Sequence, residues 1–153
     1  MAATRVGVQA GLTFGTSTWA NEPASEAERA KIRSDRDLIR SILNNEEFGI
    51  FEKKLHAVSD INFESSAKMT PLHTAAAYGR TQMVSAILSR RPNIEARNSL
   101  GFTPLVSAVV NQQEAVVKIL ISAGAIKTVT TLRGDTPLSI AKASNFASIV
   151  SLL

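Results

Sequence analysis

The chain has 153 residues, 44% of them hydrophobic, and a formal net charge of +4. It contains no cysteine, which excludes disulfides and thiolate metal sites, and its two histidines are too few for a metal cluster. No stretch reaches the roughly 18 apolar residues of a membrane helix. We therefore expect a soluble protein with one domain of ordinary size plus appendages.

The charge is unevenly distributed along the chain. Residues 1–64 carry 8 basic and 10 acidic side chains, net −2, whereas residues 65–153 carry 9 basic and 3 acidic ones, net +6. The basic residues of the second part are scattered singly, without the clustered stripe and stacking aromatics typical of nucleic-acid binding. The charge pattern therefore favours a protein partner with an acidic surface over nucleic acid.

Residues 1–24 differ in composition from the rest of the chain, and we interpret them as an extended N-terminal tail. Residues 1–20 contain one charged residue, Arg5, and no acid, with many small residues that cannot form a core. The segment resembles an organelle transit peptide in lacking acids, although such peptides are richer in arginine. The alternative is a tail that docks on a partner, with Trp19 as a contact residue, and the sequence leaves both open.

A helix is predicted to follow the tail. Ser25 and Glu28 have the spacing of a capping box, in which each side chain accepts a hydrogen bond from the backbone N–H of the other residue. The helix should run from there to about Asn44. Its last turns carry four apolar residues, which are Leu38, Ile39, Ile42 and Leu43.

The triplet Thr-Pro-Leu occurs three times, beginning at Thr70, Thr103 and Thr136, and the two intervals are equal. A fixed period of about 20–50 residues indicates a repeat architecture, because one such unit cannot bury its apolar face alone and must stack on its neighbours. The period therefore predicts a row of similar units.

Each unit reads as two helices. Thr70 is a suitable N-cap and Pro71 a suitable first helical residue, while Gly79 can end the helix in the left-handed conformation. A second helix is indicated by the apolar residues Met83, Val84, Ile87 and Leu88. In the middle unit Gln112 replaces the helix-ending glycine, so we predict Asn111 as the left-handed residue there.

These features together resemble ankyrin repeats. The resemblance is carried by the 33-residue period, by Thr-Pro-Leu-His-x-Ala-Ala-x-x-Gly at 70–79, by Val-Val-x-x-Leu-Ile at 116–121 and by Gly-Ala at 124–125. It implies an all-α solenoid of stacked helix-turn-helix units joined by short hairpin-like connectors. We assign three repeats, at residues 65–97, 98–130 and 131–153.

The two ends of the array depart from the family pattern. Lys142 stands where the family has its second alanine, which favours reading residues 131–153 as a C-terminal cap with a polar outer face. Counting back one period places Phe51 at the position of Val84, and Asp-Ile-Asn at 60–62 resembles the family's connector. We therefore interpret residues 25–64 as an N-terminal helix and a degenerate capping repeat.

The resemblance implies a binding protein. Ankyrin arrays contact partners through the connector tips and the concave face of the first helices, and the free positions there include Asp135. Several of these positions are more apolar than a solvated face requires. With Trp19 in the tail, we predict partner contact at Met69, Tyr78, Arg97, Leu100, Phe102, Val110, Asn111, Leu132 and Arg133.

No catalytic constellation is visible in the sequence. The place of His73 after Thr-Pro-Leu matches a structural histidine of the family that bonds the connector of an adjacent repeat. Neither Gly-x-Ser-x-Gly nor a phosphate-binding Gly-x-x-x-x-Gly-Lys occurs. We therefore expect no enzyme activity, no metal and no cofactor.

The resulting hypothesis is a non-catalytic adaptor that binds one or more proteins through its concave face and its tail, as a subunit of a larger complex. The alternative is a freely exchanging regulator that inhibits or targets a partner enzyme. We expect a location inside the cell, in the cytoplasm, and the alternative compartment is an organelle interior, either plastid or mitochondrion.

Overall fold

A computed structural model describes residues 25–65 and 67–153 of the chain. The predicted tail, with Trp19, lies outside these residues. Contacts divide the chain into two units, residues 1–30 and 31–153, and the stacked helices belong to the second unit.

The first two helices are α1, Glu26–Leu43, and α2, Phe48–Ala57. The capping box at the start of α1 is confirmed. The Ser25 backbone N–H donates to Glu28 Oε2 at 2.8 Å, and the Glu28 N–H donates to Ser25 Oγ at 3.2 Å. The predicted end of this helix, near Asn44, agrees with its last residue.

Each Thr-Pro-Leu unit forms the expected helix pair. The pairs are α3, Pro71–Ala77, with α4, Thr81–Ser89; α5, Pro104–Val110, with α6, Glu114–Ser122; and α7, Pro137–Ala143, with α8, Ala147–Val150. All three first helices begin at the proline, and the preceding threonine hydroxyl accepts a hydrogen bond from the N–H three residues later. The N-cap reading of the triplet is therefore confirmed.

The helices stack in two layers. The first helices α3, α5 and α7 pack in sequence, and the second helices α2, α4, α6 and α8 pack in sequence beside them. Three alanines at the same position of successive units, Ala75, Ala108 and Ala141, are fully buried where the first helices approach one another. The described residues contain helices and turns and no strand, so the all-α solenoid is confirmed.

One core runs through all four helix pairs. It includes Leu38 and Ile42 from α1, Phe51 from α2 and Ile149 from α8. The second helices bury the apolar residues predicted for them, with Leu88 and Ile121 at the partly buried edge. Continuous burial of this kind is what allows thin units to fold together.

The prediction for the end of α5 is wrong. Asn111 has a φ of −94° and caps the helix, whereas Gln112 has a φ of 56° and is the left-handed residue. Gln112 occupies the position of Gly79 in the previous unit and Asn145 in the next, and both are also left-handed. The stacking of the repeats therefore fixes this position and overrides the intrinsic preference of asparagine for the conformation.

Two arginines tie the first helix pair to the second. Arg80 donates from Nε to Ile42 O at 3.2 Å, at the end of α1. Arg90 donates from Nη2 to Val58 O at 3.0 Å and from Nη1 to Leu55 O, at the end of α2. Carbonyls at a helix C-terminus lack i+4 partners, and these arginines supply donors from the neighbouring unit beside the local bonds from Asn45 N to Ile42 O and from Val58 N to Leu55 O.

Candidate functional site

The connector tips have one repeated turn, which places their side chains. Asn98 Oδ1 accepts from the N–H groups of Leu100 and Phe102 at 2.9 and 3.0 Å. Thr131, one period later, accepts through Oγ1 from the N–H groups of Arg133 and Asp135, both at 3.2 Å. A side-chain oxygen at the same register position therefore holds each tip in the same geometry.

Successive tips are joined by main-chain hydrogen bonds. Ser99 N donates to Ala67 O at 3.0 Å, and Leu132 N donates to Leu100 O at 3.5 Å. Gly101 lies at this junction with a φ of 75°, and a Cβ there would come within 2.8 Å of the Leu132 backbone nitrogen. The close approach of the two tips therefore requires glycine at 101.

A groove of about 400 Å³ lies between the last two connectors and the helices beneath them. We call it the connector groove, and its lining consists of Leu100, Phe102, Val110, Leu132, Arg133, Asp135 and Ile140. Five of these seven residues are apolar. Leu132 is 75% exposed and Leu100 58% exposed. Large aliphatic side chains in this state lose contact with water when a partner covers them.

The rim of the connector groove is charged. Arg133 and Asp135 are both exposed, and neither forms an ion pair within the described part of the chain. One cation and one anion thus flank an apolar floor, which is the usual arrangement of an interface core and its polar rim.

The structure brings together five of the predicted contact residues, Leu100, Phe102, Val110, Leu132 and Arg133. Four others lie outside the connector groove. Met69 is half-buried, with its sulfur 3.2 Å from Asn98 Nδ2. The Asn111 side chain donates to Ser107 O at 2.8 Å.

Tyr78 and Arg97 have intramolecular contacts of their own. Tyr78 is 52% exposed, and the Arg80 guanidinium carbon lies 6.0 Å from the centre of its ring. Arg97 donates from Nη1 to Thr130 O at 2.7 Å, so it bonds the next connector. Arg80, Arg90 and Arg97 thus each bond backbone carbonyls of an adjacent unit, which gives part of the positive charge a structural role.

Sequence reasoning missed Ile140 as a lining residue. It follows Ser107 by one period, so the repeat register places it on the same face of α7 that Ser107 occupies on α5. Comparing Ser107 with the residue one period later would have shown that Ile140 is unusually apolar for this face of the first helices.

His73 has the structural role predicted for it. Its Nδ1 accepts from the Thr70 N–H at 3.2 Å, so the proton resides on Nε2, which donates to Phe102 O at 2.8 Å. Burial lowers the pKa of His73 below its ordinary value of 6.5, and hydrogen bonds to Phe102 and Ala96 partly oppose that shift. The neutral imidazole therefore links one unit to the connector of the next.

Residues 25–65 and 67–153 contain no candidate membrane span and no candidate metal site. None of the helices there has the length and apolar content required to span a bilayer. No group of three or more histidine, aspartate or glutamate side chains is arranged to hold a metal ion there.

Comparison with known proteins agrees with the geometry. The family model for ankyrin repeats (3 copies) matches residues 30–131. A Rickettsia bellii protein named as an ankyrin repeat protein is 38% identical over 78 residues, which are 48% of this chain and 33% of that protein. The ankyrin repeat protein YahD of Escherichia coli is 30% identical over 115 residues, 71% of this chain and 57% of that protein.

A human relative is much longer. The SMC5-SMC6 complex localization factor protein 1 is 33% identical over 101 residues, which are 63% of this chain and 9% of that protein. The chain therefore spans less than two thirds of each of these relatives. Because the family model matches more than half of the chain, the protein belongs to the ankyrin repeat family.

Proposed function

We propose that the chain is a non-catalytic adaptor that binds a partner protein in the connector groove. Ankyrin repeats are generally protein–protein interaction modules, and the family is typically non-catalytic. The observation that carries the proposal is the apolar floor between the last two connectors, where Leu132 is 75% exposed. A solvated loop tip has no folding reason to hold a leucine in this state.

The arrangement of the groove favours a segment with apolar anchors. Leu100 and Leu132 belong to hydrogen-bonded neighbouring tips, so their separation is fixed before a partner arrives. Phe102 is held from below, since its carbonyl accepts from His73. A preorganised floor reduces the entropy lost on binding, which raises affinity without additional contacts.

The proposal also concerns whether the protein acts as a subunit of a larger complex. One relative is named for localisation of the SMC5-SMC6 complex, and the shared segment is 9% of that protein, so its partner is not carried over to this chain. We favour a complex subunit over a freely exchanging regulator of an enzyme. Permanent migration of the endogenous protein in a large particle on size-exclusion chromatography supports the subunit, and migration of a free pool contradicts it.

The experiment on the groove compares two exposed aliphatic positions. Leu132→Asp places a charge on the groove floor, and Ile126→Asp places one at a residue that is 52% exposed and lies outside the groove. We expect Leu132→Asp to reduce capture of the partner by at least about tenfold, and Ile126→Asp to leave capture unchanged, with both proteins folded by circular dichroism. Equal capture by both variants would overturn the assignment of the groove.

Salt dependence separates a protein partner from nucleic acid. A contact dominated by apolar burial changes little with ionic strength, whereas neutralising phosphates gives an affinity that falls steeply with salt. We expect the captured complex to survive moderate salt. Dissociation in proportion to salt, with nucleic acid in the captured fraction, would contradict the proposed partner class.

A further inference from the structure

A second and larger groove lies along α1, at the other end of the repeat array from the connector groove. Its volume is about 590 Å³, and its apolar lining consists of Ile32, Ile39, Leu43 and Phe63. We call it the α1 groove. The three residues from α1 follow one another at helical spacing and form a single stripe on one face of the helix. Ile32 and Leu43 are exposed, so within the described residues this stripe has no complete cover.

Asp35 lies in the same stripe, three residues after Ile32 and four before Ile39, and it also lines the α1 groove. The residue is only 9% exposed. Its Oδ2 accepts from Lys31 Nζ at 3.1 Å, but its Oδ1 is buried and has no hydrogen-bond partner in the part of the chain that the structure describes. A buried acceptor without a partner is rare in folded proteins and calls for a donor.

The charges that line the α1 groove balance. Arg36 and Arg40 supply two cations, and Asp35 and Glu64 supply two anions. Arg40 also lies 3.9 Å from the carboxylate of Asp37, outside the groove. A lining without net charge does not select a polyanion or a polycation. Instead it offers both acceptors and donors, which matches the alternating N–H and C=O groups of a peptide backbone.

We propose that the α1 groove binds a short, uncharged, apolar peptide segment of a partner polypeptide, and that a backbone N–H of this segment donates to Asp35 Oδ1. Its apolar side chains pack on Ile32, Ile39 and Leu43. The Arg36 guanidinium is available to its carbonyls. This site shares no residue with the connector groove and does not depend on the function proposed there.

The proposal predicts opposite effects of one substitution on folding and on binding. Asp35→Leu removes the unpaired oxygen, so the free protein should melt at a higher temperature. The same change removes the acceptor for the peptide, so affinity should fall by at least about tenfold. A carboxylate with a purely structural role would lower the melting temperature when replaced.

The test uses random dodecapeptides displayed on phage and selected on the full chain. Selected peptides are synthesised with a fluorescent label, and their Kd is measured by fluorescence polarisation against the wild type, Asp35→Leu and Leu132→Asp. We expect a class of uncharged apolar peptides whose binding is weakened by Asp35→Leu and is unaffected by Leu132→Asp. Absence of such a class, or selection of charged peptides that bind through Asp35, would overturn the proposal.

Two further variants keep the result interpretable. Asp37→Leu changes an aspartate of α1 outside the groove. It should leave the peptide affinity unchanged and should not raise the melting temperature. Leu43→Glu changes an exposed residue of the groove itself, so the fold should persist while peptide binding is lost. If Leu43→Glu binds the selected peptides with unchanged Kd, the proposal is wrong even where Asp35→Leu fails to fold.

Discussion

The first helix pair and the three Thr-Pro pairs use different means to complete their helices. In the Thr-Pro pairs the threonine hydroxyl and the proline satisfy the helix start locally in the sequence. The helix starts of the first pair are similar, since α1 has its own capping box and α2, like α4, α6 and α8, begins without a side-chain cap. The difference lies at the helix ends, because the carbonyls that end α1 and α2 accept hydrogen bonds from Arg80 and Arg90 of the next unit.

The difference is whether the backbone groups at the ends of a helix are bonded by nearby residues in the sequence or by a neighbouring unit. Every unit depends on its neighbours for apolar burial, and the Thr-Pro units also bond one another through His73 and Arg97. The first pair differs in that side chains of the next unit bond the carbonyls at the ends of both its helices. We therefore expect it to be the less independent part of the array, and the following predictions test that expectation.

The largest effect is expected from a cavity in the first pair. Phe51 is fully buried, so Phe51→Ala should lower the free energy of unfolding by about 3–5 kcal/mol. Because the first pair depends on the next unit for hydrogen bonds, urea unfolding followed by circular dichroism should show an early step in which residues 31–64 unfold. Leu105→Ala, in the central repeat, should instead shift the main transition. A single unaltered transition in Phe51→Ala would contradict the comparison.

The next effect concerns the arginine bonds themselves. Arg90→Met keeps much of the side-chain packing but removes the donor to Val58 O and leaves Leu55 O with only the long backbone bond from Val58 N. We expect a loss of about 1.5–3 kcal/mol in urea unfolding. Arg91→Met is the matched control, because Arg91 is exposed and its side chain makes no hydrogen bond within the described residues. Equal losses in the two variants would show that charge, rather than carbonyl bonding, matters.

A pH effect is expected from the Thr-Pro pairs. Because burial lowers the pKa of His73, the unfolded chain binds more protons than the folded one between the folded pKa and 6.5. Stability should therefore be complete above 6.5 and fall as the pH drops below it. The loss is about 1.4 kcal/mol for each unit by which the folded pKa lies below the unfolded one.

Urea unfolding between about pH 7.5 and about pH 5 measures this slope. His73→Gln should be less stable but nearly flat over the same range. Hydrogen bonds from Lys54 and Lys118 lower the pKa values of Glu46 and Glu114 below 4.5, so the stability linked to these carboxylates is lost only at lower pH. If His73→Gln kept the wild-type slope, His73 would not be the cause of the pH dependence.

The smallest effect tests the corrected end of α5. Gln112 is left-handed, so Gln112→Gly relieves backbone strain and should raise the free energy of unfolding by about 0.5–1 kcal/mol. Asn111 has a negative φ, so Asn111→Gly should lower it by a similar amount. Thermal unfolding of the two variants decides between the two positions. If Gln112→Gly lowered the stability and Asn111→Gly raised it, Asn111 would be the left-handed residue in solution.

The sequence predicted the elements whose causes are local. The helix starts at Pro71, Pro104 and Pro137 follow from the residue before each proline, and the capping box at Ser25 follows from a spacing of three. Most of the connector groove was also predictable from the sequence, because the period places Leu100 and Leu132 in the tips of successive connectors, one residue apart in register.

The remaining features depend on contacts between distant parts of the chain. Arg80 and Arg90 reach carbonyls of the preceding helix pair, and nothing near them in the sequence indicates which backbone atoms they meet. Asp35 reads as a surface residue of a charged helix, yet the fold buries it. Gln112 takes its conformation from the repeat register, which outweighs the local preference that favoured Asn111.

The arginine bonds to the first helix pair have a consequence for biosynthesis. Leu55 and Val58 leave the ribosome before Arg90, and translation proceeds at about 5–20 residues per second, so the donor arrives seconds later. During that interval the nascent chain carries Phe51 and Leu55 without the neighbour that covers them. A chaperone that recognises apolar segments should therefore engage this stretch of the growing polypeptide and release it once the second unit has emerged.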